Sequence, residues 1–152
     1  MSALQQLRTM TTIVADTGDL NAIARLKPID ATTNPSLITK ALIHPDNQGM
    51  LSETMSRHNG NVDAVIDALT IQIGCDILAL IEGRVSTEVD ARLSYDTGAT
   101  IDKALEFMEA YQKAGIDSER VLIKMAATWQ GIEAARYLET QGIHCNLTLL
   151  FE

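Results

Sequence analysis

The chain has 152 residues, 46% of them hydrophobic and 21% charged, which suits one globular domain around a single core and excludes a disordered or fibrous protein. Twenty acidic residues against twelve basic ones give a formal charge of -8, which repels nucleic-acid phosphates and anionic membrane surfaces at long range. Only 4% of residues are aromatic, so the core has to be built from Ile, Leu, Val, Ala and Met.

In chain order, the opening "MSALQQLRTM" lacks the apolar run of a signal peptide, and no stretch reaches the ~18 apolar residues of a membrane span. A soluble, cytoplasmic protein is expected. Short runs rich in β-branched residues at Thr12 to Asp16 and Asp30 to Asn34 read as strands. The polar stretches at Asp46 to Gly49 and His58 to Asn61 read as loops between helices. From Asn61 onward, Val62, Ile66, Leu69, Ile73, Ile77 and Leu80 follow the helical period and predict a long amphipathic helix. A strand follows at Val85 to Asp90. A second helix is predicted from Thr100, taken as its N-cap, to Ala114, with Lys113 in the last turn and Gly115 just beyond. Arg120 to Ala126 is the next strand. A third helix fills Trp129 to Gln141 between a Thr128 cap and Gly142, and His144 to Phe151 forms the last strand.

Apolar strands separated by helices imply a parallel sheet covered by helices, because parallel neighbours need crossover connections. The class is therefore α/β, in a single domain over residues 1–152, with no internal repeat, low-complexity tract or linker. Cys75 and Cys145 stand apart and read as reduced thiols, and His44, His58 and His144 are too scattered to suggest a metal site.

Each strand brings a polar side chain: Asp16, Asn34, Glu88, Lys124, and Asn146 with Thr148. Lys124 is the least expected, since "VLIKMA" is otherwise apolar. It either snorkels to solvent, forms a structural ion pair with nearby carboxylates, or serves as an amine nucleophile kept unprotonated by desolvation. The others have structural readings of their own. Asp16 can cap the following helix, Asn34 can make an Asx-turn before Pro35, Glu88 can pair with Arg84 or Arg92, and Thr148 can be an ordinary strand residue. A barrel of parallel strands would gather all five strand ends around one mouth.

The segments "TTIVADTGD", "DATTNPSLI", "GRVSTEVDARLSYDT", "VLIKMAATWQGI" and "GIHCNLTLLF", in this order and spacing, resemble the transaldolases in their long bacterial form. The resemblance runs over essentially the whole chain. It implies a (β/α)₈ TIM barrel of which the chain holds the first five β/α units, and a Schiff-base enzyme of the pentose phosphate pathway. In that family's scheme Lys124 would attack the ketone of fructose 6-phosphate or sedoheptulose 7-phosphate. Asp16 would move the proton of the C4 hydroxyl, Glu88 would work with a water during imine formation and hydrolysis, and Thr148 would hold that water. Asn34, Asn146 and Thr32 would bind the substrate. The acceptor would be erythrose 4-phosphate or glyceraldehyde 3-phosphate, with no metal or organic cofactor.

A complete barrel of this kind takes about 250 residues. Glu152 also stands where the resemblance places a serine, so a frameshifted or prematurely terminated gene, or a piece of a longer chain, is expected. The family's phosphate-anchoring serine and arginine would lie in the absent part. A five-stranded sheet with two open edges is expected to associate into an oligomer or to be unstable. The alternative to an active transaldolase is a catalytically inactive fragment with a remnant site.

Overall fold

The computed structural model describes residues 2–151, and for Asp46 the backbone alone. The expectation attached to Glu152 lies outside the described residues. Helix α1 (Ala3–Arg8) leads into strand β1 (Val14–Asp16), α2 (Leu20–Leu26) and β2 (Asp30–Thr32). Three helices follow, α3 (Pro35–Ile43), α4 (Gln48–Arg57) and α5 (Val62–Leu78), before β3 (Val85–Glu88). The chain then alternates through α6 (Thr97–Lys113), β4 (Val121–Ala126), α7 (Trp129–Thr140) and β5 (Cys145–Thr148).

All strand pairs are parallel, and the spatial order β1-β2-β3-β4-β5 is the sequence order. A doubly wound sheet reverses its order at a switch point, whereas a sheet that always steps the same way curls into a barrel wall. These are the first five β/α units of a TIM barrel. The five predicted strands all form, each within its expected span but shorter.

Alternation along the strands separates two faces. Ala31, Val85, Thr87, Val121, Ile123 and Met125 point outward and are at most 2% exposed, because the helices pack over them. Burying an aliphatic side chain there contributes roughly 1.5–3 kcal/mol, so this outer layer is where the sheet is held. The other face carries Asp16, Thr32, Ser86, Glu88, Lys124, Asn146 and Thr148. That assignment follows from register, since Asp16 pairs with Thr32, Thr32 with Ser86, Glu88 with Lys124, and Lys124 with Asn146.

Caps explain the helix boundaries. Asp19 accepts a hydrogen bond from Ala22 N at 3.0 Å and starts α2, while Asn61 accepts from Ala64 N at 3.2 Å and starts α5. The predicted start of α6 at Thr100 needs correction. Asp96 caps that helix by accepting from Ala99 N at 2.9 Å, and Thr100 sits inside it, donating to Leu93 O at 2.9 Å. Gly115 and Gly142 adopt φ of 79° and 74° just past the ends of α6 and α7, as glycines closing helices do.

Under β3, the Tyr111 hydroxyl lies 2.6 Å from Thr87 Oγ1 in a fully buried pair. Burial pushes the Tyr111 phenol well above its ordinary pKa, so it stays a neutral partner. Gly74 of α5 makes room for that ring, since a Cβ there would sit 1.9 Å from the Tyr111 hydroxyl oxygen. Gly74→Ala is expected to lower stability by about 2–3 kcal/mol through overpacking. Tyr111→Phe alone should cost about 1–2 kcal/mol by stranding Thr87, yet cost less in the Gly74→Ala background because it removes the clashing atom. Urea unfolding of the two single variants and the double variant measures this coupling, and simple additivity would refute it.

Strand β5 is held by the end of α7. Glu139 Oε1 accepts from Cys145 N at 2.8 Å, and Glu139 Oε2 lies 3.0 Å from His144 Nδ1. The Cys145 amide, with help from His144, holds the Glu139 carboxyl below its usual range. A carboxyl depressed by folding stabilises the fold above its unfolded pKa of about 4.3 and loses that contribution as pH falls through the folded value. Thermal melts of Glu139→Gln against the unmodified chain should therefore differ near neutral pH and converge in acid. Curves that stay parallel down through that range would contradict the assignment.

Candidate active site

Parallel strands of similar reach end at one rim, and Asp16, Thr32, Glu88 and Thr148 are each the last residue of their strand. Lys124 lies two residues before the end of β4, directly beside Glu88 in register. Its Nζ is 3.1 Å from Glu88 Oε2, with the two side chains 11% and 16% exposed. The same Nζ donates to the backbone carbonyl of Thr33 at 3.2 Å. One ammonium donor is thereby engaged and the charge is paired inside the site, so the amine does not snorkel to solvent. A buried ion pair and a held nucleophile both remain consistent with this geometry.

The Thr33 carbonyl is itself fixed. Thr33 N and Thr33 Oγ1 each donate to Ser86 O at 3.0 Å, which ties the end of β2 to β3 and sets where the lysine is received. Sequence reading missed both Thr33 and Ser86. A backbone acceptor leaves no trace in residue type, but Ser86 was accessible in principle, because it lies two residues before Glu88 and so shares its face.

Asn146 neighbours Lys124 on β5 and donates its Nδ2 to Ser86 Oγ at 3.0 Å. Asn34 follows β2 and accepts from Leu37 N at 2.9 Å, capping α3. This cap takes up its side-chain oxygen and leaves its amide N–H groups for a ligand. The Oγ1 of Thr32 is buried with no hydrogen-bond partner among the described residues. An unsatisfied buried hydroxyl costs about 1–3 kcal/mol, a cost that a ligand hydroxyl could offset.

Asp16 and Thr148 stand further apart. Asp16 is exposed on the edge strand β1, and Thr148 is half-buried on the opposite edge, in register with Ala126. Neither side chain makes a hydrogen bond to another described residue. The structural reading of Asp16 as a helix cap is not realised, since Asp19 does that work for α2. Glu88 pairs with Lys124, while Arg84 pairs with Glu119 and Arg92 with Asp63 and Asp90.

A cavity of about 350 Å³ lies to one side, between the start of α2 and α3, lined by Thr17, Gly18, Leu37, Lys40 and others. It contains none of the groups around Lys124, and the converging polar chemistry marks the lysine face as the stronger candidate. Cys145 adds no nucleophile, because burial pushes its thiol up to about 12. Among the described residues no group of three His, Cys, Asp or Glu is placed to hold a metal ion, and no helix is long and apolar enough to cross a membrane.

Comparison with known proteins agrees with this arrangement. The family described as Transaldolase/Fructose-6-phosphate aldolase matches residues 13–152. A protein named Transaldolase from Methylibium petroleiphilum is 56% identical over 151 residues, which is 99% of this chain and 48% of that relative. The chain thus spans about half the length of the curated relative it matches. With a curled parallel sheet, a buried lysine on its inner face and a match over nearly its whole length, the chain belongs to the transaldolase/fructose-6-phosphate aldolase family.

Proposed function

We propose that the chain carries the Schiff-base apparatus of a transaldolase, which moves a dihydroxyacetone unit from fructose 6-phosphate or sedoheptulose 7-phosphate to an aldose phosphate. The observation that carries the proposal is the Lys124 amine, held 3.1 Å from Glu88 at the strand-end rim of a parallel sheet. An amine attacks only in its unprotonated form. Glu88 is within reach to take the ammonium proton, directly or through a water. The free amine adds to the ketone at C2, the carbinolamine loses water, and an iminium forms.

The iminium accepts the electron pair of the C3–C4 bond while Asp16 takes the proton of the C4 hydroxyl. This releases an aldose phosphate and leaves a three-carbon enamine on Lys124. Addition of the enamine to an acceptor aldehyde, erythrose 4-phosphate or glyceraldehyde 3-phosphate, reverses these steps, and Asp16 returns its proton to the new hydroxyl. Water held by Thr148 and Glu88 then hydrolyses the product iminium. Thr32, Asn34 and Asn146 orient the dihydroxyacetone unit, each with hydrogen-bonding capacity left over for a ligand. The family's setting makes this a cytoplasmic step of the pentose phosphate pathway.

A second reading rests on one fact, that the match covers 48% of the relative. On that reading the chain is a half-barrel with a remnant site, inactive until other strands supply the opposite wall and the grip on the substrate's phosphate. Incubation with fructose 6-phosphate, borohydride reduction and peptide mass analysis tests the proposal. An adduct on the peptide holding Lys124 is expected. An intact chain that traps nothing would favour the remnant.

A further inference from the structure

We infer that Ser86 is a positioning residue, setting the amide of Asn146 for the ligand that Lys124 binds. The inference rests on the proposed function and names a residue in that site which the resemblance did not supply. Ser86 is 4% exposed and faces the same side of β3 as Glu88. Its hydroxyl oxygen accepts the Asn146 Nδ2–H bond at 3.0 Å across the intervening strand β4, on which Lys124 is Asn146's register partner.

An asparagine amide is planar, with two donors on nitrogen and an acceptor on oxygen. Once one N–H is committed to Ser86, rotation about the last side-chain bond is fixed, and the carbonyl oxygen and second N–H have one direction each. Without Ser86 the amide could turn over and exchange donor for acceptor. A ligand with a hydroxyl or carbonyl beside the iminium carbon distinguishes those two faces, so the orientation decides how well it is held. Ser86 keeps its own O–H to donate, and its register partner on β2 is Thr32, whose buried Oγ1 has no partner among the described residues. Ser86, Asn146 and Thr32 therefore form a polar floor beneath the lysine, suited to a small polyhydroxylated ligand.

The competing explanation is a structural tie between β3 and the edge strand β5. Trapping with borohydride at graded fructose 6-phosphate concentrations separates the two. Ser86→Ala should raise the half-saturating concentration roughly 3- to 10-fold, as expected for one orienting neutral hydrogen bond, while adduct yield at saturation is kept. In an Asn146→Ala background the same substitution should change nothing further. Equal shifts in both backgrounds, or no shift in either, would overturn the role of Ser86 and leave Lys124 chemistry standing. No adduct in the unmodified chain would overturn the functional reading and this inference with it. Should Ser86→Ala fail to fold, ¹⁵N NMR of the unmodified chain serves instead: one Asn146 side-chain N–H should exchange with solvent much more slowly than the other before substrate is added, and the second should slow once the adduct is trapped, whereas equally fast exchange beforehand, or no change on trapping, overturns the inference.

Discussion

Lys124→Met is expected to abolish the borohydride-trapped adduct and, separately, to lower unfolding stability by roughly 3 kcal/mol. The first effect is chemical, since among the described residues no second amine stands at the site. The second is electrostatic. Glu88, only 16% exposed at its side chain, would be left as a charge without its partner 3.1 Å away. Removing one member of a buried pair costs more than removing both, because the survivor keeps its desolvation penalty and loses its compensation. Adding Glu88→Gln to Lys124→Met should therefore restore most of the stability and none of the adduct. Urea unfolding alongside the trapping assay separates the two effects. If Lys124→Met alone unfolds like the unmodified chain, Glu88 is better hydrated than its burial indicates, and the pair is not the structural constraint described above.

How much of this was readable beforehand varies from residue to residue. In "VLIKMA" the period of two places Val121, Ile123 and Met125 on one face and Leu122, Lys124 and Ala126 on the other, and the structure keeps that division. Aligning strands by their ends gathered Glu88 and Lys124 at one mouth, while their pairing as direct neighbours came only with the register. The start of α6 was misread because "DTGAT" contains Gly98, which looks like loop, whereas the Asp96 carboxylate begins the helix ahead of it. The helices before Asn61 have no long apolar stripe to reveal them, being six to ten residues each, and caps such as Asp19 and Asn34 set their starts. Thr33 could not be found from sequence at all, because what the lysine meets there is a main-chain carbonyl. Ser86 was hidden by its ordinariness, since a serine in a strand carries no signal until the register shows which asparagine reaches it.

Gly131→Ala should be the most damaging small substitution near the site, at about 3 kcal/mol of stability together with loss of trapping. Gly131 is the third residue of α7, and its N–H donates to Thr128 Oγ1 at 3.0 Å in the cap that starts the helix. A Cβ at this position would lie 2.0 Å from the carbonyl oxygen of Ala126, with Thr128 Oγ1 at 3.3 Å. The obstacle is backbone, so no side chain can swing aside. Either α7 lifts from the end of β4 and gives up its cap, or Ala126 moves and carries Lys124, two residues earlier on the same strand, out of reach of Glu88. Both routes cost more than the ~1 kcal/mol by which alanine normally improves on glycine in a helix. Gly98→Ala in α6 supplies the contrast, since the nearest atom to its added Cβ is 3.6 Å away and that substitution should be neutral or slightly stabilising. Denaturation midpoints for the two variants should move in opposite directions or by very different amounts. A Gly131→Ala chain that unfolds with Gly98→Ala would mean that α7 can slide on the sheet without disturbing β4, and the lysine's position would then need another support.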